Sequence, residues 1–154
     1  MHLTRFTDIG LRVLIYLARA GERRVPVTVS EIAAQFALPV NHLVKVVGHL
    51  ARAGWVCATR GRNGGLRLAA DPATLSIGVV LRELEGDSEL VDCDGTGCRL
   101  SGDCQLRAAL RTGMQAFYGA MDKVTLAHVT NGNTGEKIVR MHRMFLDQGG
   151  GAAA

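Results

Sequence analysis

The sequence predicts a mainly α fold with one small β-hairpin, arranged as a winged helix-turn-helix followed by a long dimerisation helix. Three observations predict it. Two short amphipathic helical stretches meet at the break A-L-P-V (37–40). A glycine-rich tip, G-R-N-G-G (61–65), separates two short apolar strands directly after the second of these helices. A long apolar-striped stretch then runs from Cys104 to about Ala127.

Each element has a physical reason. Phe6, Ile9, Val13, Leu14, Leu17 and Ala18 recur at helical spacing and predict a helix over 4–20, stopped by Gly21. The apolar run V-L-I-Y-L-A (13–18) is too short for a membrane span and is flanked by Arg12 and Arg19. No targeting segment is evident, so a cytoplasmic protein is expected. Residues 26–29 read as a short strand leading to Ser30, expected as the N-cap of E-I-A-A-Q-F (31–36). Pro39 disfavours helix at Leu38, and a second helix is expected over 41–53, ended by Gly54. Two short helices about a tight turn form a helix-turn-helix. Residues 55–57 and 66–68 read as the strands of a hairpin whose tip needs positive φ. The glycines there lack the G-K-[S/T] of a phosphate loop. A further amphipathic helix is expected over 74–85.

The long stretch places Leu106, Leu110, Phe117, Met121 and Val124 near a heptad-like seam. At roughly 24 residues it would span about 36 Å. One side can pack on its own domain and the other on a second copy, against the plainer reading of a purely intramolecular helix. Residues 131–135 read as loop, 136–147 as a last helix and 148–154 as a disordered tail. The expected domains are residues 1–72 for the winged helix and 73–147 for the cysteine loop and dimerisation helix.

Charge divides along the same line. Residues 1–70 carry ten Arg and Lys against three Asp and Glu, while the remainder carries eight against eleven. A basic half on a winged helix can serve as a polyanion-binding surface, against the plainer reading of an ordinary solvated charged face. No acid–base or nucleophile constellation accompanies it, so an enzyme is not expected.

The most unusual stretch is C-D-G-T-G-C-R-L-S-G-D-C (93–104), which holds three of the four cysteines. A disulfide would use two thiols and orphan the third, and reducing cytosol disfavours it. Zinc knuckles usually pair cysteines as C-x2-C, and here the spacings are C-x4-C and C-x5-C. Inert thiols gather in apolar cores, not in Gly/Asp loops. An iron–sulfur cluster is wider than one ion and tolerates this spacing, with glycines letting backbone N–H groups approach the sulfides. The cluster reading fits best, with zinc and a thiol switch left open. Cys57, beside Trp55, reads as a packed strand residue and not as a ligand.

The stretch R-F-T-D-I-G-L-R-V-L-I-Y-L-A (5–18), the S-E-I-A helix start, the R-G-R-N-G-G-L-R-L wing and the three-cysteine loop occur in this order. Their combination resembles the bacterial winged-helix iron–sulfur repressors, the family that holds the cluster-biogenesis regulator IscR and the nitric-oxide sensor NsrR. The likeness covers about residues 2–145, and T-D-I-G-L-R with the 4-then-5 cysteine spacing is closer to the NsrR type. Ile9 stands where relatives often carry an aromatic residue. The resemblance implies a homodimer with the long helix as its seam. It implies Cys93, Cys98 and Cys104 as thiolate ligands of a 4Fe–4S cluster (2Fe–2S being the alternative), with the fourth ligand from helix 1, here Asp8, of either protomer. A solvated first-turn carboxylate is the plainer reading of Asp8.

An operator with inverted-repeat symmetry is the expected DNA partner, and nitric oxide the expected signal. Asn41, His42 and Lys45 are expected in the major groove, with Ser30 nearby on the first helix of the motif. Arg60 is expected in an adjacent minor groove. Arg52, Arg62 and Arg67 are expected on phosphates.

Overall fold

A computed structural model describes residues 2–20, 25–61, 64–86 and 90–149. Helix α1, Arg5–Ala20, is the centre of the molecule, and more than half of its residues are buried. It packs against α3 (Val40–Arg52), α4 (Ile77–Glu85), α6 (Leu126–Thr130), α7 (Asn133–Asp147) and strand β2 (Gly65–Leu68). Ile9, Val13, Leu14 and Leu17 meet Leu43, Val46 and Leu50 of α3 and Val80 and Leu81 of α4 in one core. The period of 3.6 read from α1 is therefore the period of its burial. The expected stop, Gly21, lies outside the described residues.

Helix α2, Val29–Phe36, is capped by Thr28, whose side-chain oxygen accepts from the Glu31 amide. This corrects the expectation for Ser30, which is the helix's second residue. The reason lies upstream. Val27 is held extended by a bridge to Leu66, whose amide donates to the Val27 carbonyl at 2.7 Å, so the chain turns at Thr28. The strand expected over 26–29 is reduced to this one bridge. Ala37 ends α2 in the left-handed region at φ 50°, and Pro39 opens α3.

The wing is β1 (Val56–Thr59) paired antiparallel with β2 in the register Val56↔Leu68, Cys57↔Arg67, Ala58↔Leu66 and Thr59↔Gly65. Both strands lie slightly later or longer than expected, and Trp55 precedes β1. Gly65 sits at φ 158° where a Cβ would come within 2.6 Å of the Pro26 Cβ, so no larger residue fits beneath the strand.

The long helix is shorter than its sequence period indicates. Helix α5 covers Gln105–Met121, 17 residues and about 25 Å, not 104–127. The chain leaves it because residues 124–126 pair with residues 75–77: the Ile77 amide donates to the Val124 carbonyl and the Leu126 amide to the Leu75 carbonyl, both at 2.8 Å. Thr125 and His128 then form a capping box that starts α6 afresh. The same pairing delays α4, whose cap is Ser76 and not a residue near Thr74.

Helix α7 begins at Asn133, inside the expected loop. It is fastened by a buried polar cluster. Glu31 of α2 is 1% exposed, and its Oε1 accepts from Tyr16 Oη of α1 at 2.6 Å and from His142 Nδ1 of α7. Burial and the Glu31 carboxylate hold the Tyr16 hydroxyl far above its ordinary range. Gln148 and Gly149 end α7 in a turn, so the expected disorder does not begin at 148; residues 150–154 lie outside the described residues.

Candidate nucleic-acid interface and cysteine loop

Helix α3 divides its residues between two duties. Leu43, Val46, Val47 and Leu50 are buried, while Asn41, His42, Val44, Lys45 and Arg52 are exposed. The helix carries no carboxylate, so nothing on it repels a polyanion. Between α1 and α3 a groove is lined by Arg5, Phe6, Ile9, His42, Lys45 and Val46. Its floor is apolar, and Arg5 and Lys45 supply its cationic side chains. Arg5 was not singled out from the sequence. Its signal was a cation in the first turn of a helix, where the dipole disfavours one.

The wing follows α3 without a free linker, since the Trp55 amide donates to the Leu50 carbonyl at 3.0 Å. Arg60 at the end of β1 and Arg67 on β2 are exposed. Arg62 lies outside the described residues. Ser30 is exposed in the first turn of α2, which packs on α3. Cys57 is exposed beside Arg67 in the strand register, which corrects the expectation of a packed thiol. β1 buries only its first residue, Val56, and leaves the rest of the strand outside.

The cysteine loop is shaped by its acidic residues. Asp92 accepts from the Gly95 amide at 2.7 Å, and its carbonyl accepts from the Thr96 hydroxyl. Asp94 is gripped by both Nη atoms of Arg107, at 2.9 and 3.2 Å, and by Ser101 Oγ at 2.9 Å. The Arg107 pairing holds the Asp94 carboxyl below its ordinary range. Gly97 and Gly102 take positive φ, 62° and 117°, where a side chain would be strained. The Cys98 amide donates to the Cys93 carbonyl at 3.0 Å.

None of the three thiols is in a disulfide. The Cys93 thiol is pushed up by desolvation, opposed by Arg107 and reinforced by Cys98, Cys104 and Asp94. Cys104 is the N-cap of α5 and makes no side-chain cap bond. Cys104 therefore places the third thiol at the N-terminal end of α5. Among the described residues no three His, Cys, Asp or Glu side chains converge tightly enough for a metal ion. Asp8 is half-exposed on α1, where its Oδ1 accepts from Arg12 Nε at 2.9 Å.

A short reading helix, a two-stranded wing and a cationic groove between α1 and the reading helix define a winged-helix DNA-binding protein. The sequence profile of the Rrf2 family, described as an iron-dependent transcriptional regulator, matches residues 3–132. The chain belongs to that family and is a transcriptional regulator, not an enzyme. It is similar in structure to CymR, the global cysteine regulator of B. subtilis, at 27% identity and TM-score 0.68, over 84% of this chain and 95% of that one. The oxidized form of Staphylococcus aureus CymR matches at 26% and 0.67, over 86% and 98%. T. potens IscR shares the fold, at 24% and 0.63 over 84% and 85%. No helix among the described residues is long and apolar enough to cross a membrane.

Proposed function

We propose that this regulator is an iron–sulfur-dependent repressor that holds operator DNA in its cluster-bound form and releases it on exposure to nitric oxide. The observation that carries the reading is the gathering of three free thiols in one glycine-opened loop at the foot of α5. The iron dependence that describes the family agrees with it.

The donor set fits such a group. Cys93, Cys98 and Cys104 would hold it, the α5 N-terminus favours its negative charge, and the backbone at Gly97 and Gly102 leaves room for close approach. Asp8, of the same or the partner protomer, would supply the fourth ligand. Held there, a 4Fe–4S cluster would supply iron able to react with nitric oxide, and an oxygen ligand such as Asp8 would bind that iron less firmly than a thiolate. The chain's own part is a choice of partners for Asp8. In the structure its carboxylate takes the Arg12 guanidinium one turn along α1, and that pair is available whenever Asp8 is released. An exposed i,i+4 pair is worth only about 0.3–0.5 kcal/mol, so it neither traps Asp8 nor leaves it without a partner.

The DNA-bound form is a homodimer on an inverted repeat. Helix α5 has no buried residue, and Leu106 is 65% exposed, so its apolar side is available for a second copy.

The test is operator binding by anaerobically purified variants, on a duplex selected by the wild-type protein. Cys93→Ala is expected to be colourless and to bind the operator weakly. Asp8→Ala is expected to keep colour but to lose it faster or respond differently to nitric oxide. A Cys93→Ala protein that binds as tightly and specifically as wild type contradicts the linkage.

A further inference from the structure

Four consecutive residues at the end of α4 each hold a different neighbour. Arg82 donates from both Nη atoms to Asp122, just beyond α5, at 2.6 and 2.7 Å. Its guanidinium carbon lies 4.8 Å from the Tyr118 ring centroid on α5. Glu83 Oε1 meets His49 Nε2 of α3 at 3.0 Å, and the His49 ring stands edge-on to Phe6 of α1. Leu84 fills a notch at Gly10 of α1. A Cβ there would come within 2.6 Å of Leu84 Cδ1 and 3.7 Å of Val46 Cγ1 on α3. Glu85 Oε1 accepts from the amide and hydroxyl of Thr4, at 2.8 and 3.1 Å, at the mouth of α1. With 3.6 residues per turn, four successive positions point all the way round a helix, so this turn faces α5, α3 and α1 at once.

We infer that the last turn of α4, Arg82 to Glu85, is the coupling element of the regulator. It carries the position of α5 to the reading helix α3 and to the start of α1. The inference rests on the regulator reading above and adds the route within the chain. Cys104, the third thiol of the loop, is the N-cap of α5, and α4 is the element α5 packs on most. The start of α1 carries Arg5 of the cationic groove and Asp8. Helix α4 is one continuous element between these neighbours: nine residues long, capped by Ser76 at one end, and ended by Gly86 at φ 70°. Asp122 also lies against Gly78, where any Cβ would collide with it, so the α5 end cannot slide along α4 without breaking the Arg82 pair. A shift of α5 must therefore turn α4, and the turn reaches His49, Val46 and Thr4 together.

Two measurements on Asp122→Asn, Glu83→Gln and the charge swap Arg82→Asp with Asp122→Arg test this. None of these residues is a thiol or faces the DNA groove. The first is amide hydrogen exchange in the cluster-free protein, which does not depend on the cluster reading. Asp122→Asn is expected to raise exchange across residues 40–52 and 4–8 as well as at the α4–α5 joint, and the swap to restore it. Exchange confined to residues 77–86 and 118–125 overturns the coupling. The second is the ratio of operator affinities with and without the cluster. Asp122→Asn and Glu83→Gln are each expected to lower it by up to about fivefold, the most an exposed pair usually carries, with cluster absorption unchanged. Variants that keep the wild-type ratio overturn the coupling. A wild-type ratio of one overturns the cluster reading instead, and leaves the exchange data to judge the coupling.

Discussion

Removing one wing cation should change how DNA binding responds to salt, and the size of the change can be worked out beforehand. Arg67 is exposed on β2, so Arg67→Ala should leave stability within about 0.5 kcal/mol. The described reading head of one protomer offers five exposed cations: Arg5, Lys45, Arg52, Arg60 and Arg67. If a dimer neutralises about six to ten phosphates, log K falls against log salt with a slope of about −5 to −9. Arg67→Ala removes one contact from each protomer, which reduces the slope by about 1.8. Between 50 and 200 mM salt the wild type then loses about twelvefold more affinity than the variant, so the defect of the variant is largest at low salt. Fluorescence anisotropy of a labelled duplex at four salt concentrations measures this. Parallel lines for the two proteins refute a phosphate contact by Arg67, and a flat line for the wild type refutes DNA binding through this face.

Tyr16→Phe removes a buried hydrogen bond to the Glu31 carboxylate and should cost about 1.5–3 kcal/mol, at about 2–4 °C of Tm per kcal/mol; an unchanged Tm by circular dichroism contradicts the buried cluster. Leu106→Glu should shift the protein towards monomer in sedimentation analysis without unfolding it, because Leu106 is exposed in the single chain; an unchanged dimer removes α5 as the seam. The Arg82 pair holds Asp122 below its ordinary carboxyl range. Its stabilising contribution is therefore complete above about pH 4 and is lost as pH falls through the lowered value. The Asp122 carboxyl carbon shift in NMR should be constant from pH 8 to 5 and move only in stronger acid, and a titration of that carbon near neutrality contradicts the assignment.

What could be read from the chain was what short-range chemistry decides. The apolar period of α1 and the break at Pro39 act within a few residues, and each appears where expected; the strands of the wing flank a glycine tip of which Arg62 and Asn63 lie outside the described residues. The failures share a cause. Thr28 displaces Ser30 as cap because Val27 is tied to Leu66, far along the chain. Helix α5 stops at Met121 although its apolar stripe continues, because residues 124–126 pair with 75–77. Nothing in the sequence around Glu31 shows that it is buried, because its partner His142 on α7 lies 111 residues later.

The candidate sites divide in the same way. The three thiols announce themselves by spacing, and the cations of α3 and the wing by composition. Arg5 joins the groove only because α1 crosses α3 beside Lys45. The turn Arg82 to Glu85 reads as an ordinary mixed-charge helix end until its four separate neighbours are in place.

The most direct test of the central claim is the absorption spectrum of the anaerobically purified protein from 300 to 700 nm during titration with nitric oxide, with operator binding followed in parallel. The account predicts a broad band near 400 nm that is bleached stoichiometrically while operator affinity falls. Structured bands beyond 450 nm would replace 4Fe–4S by 2Fe–2S and point to a sensor of iron–sulfur status. A colourless protein that binds its operator equally well with and without nitric oxide contradicts the account.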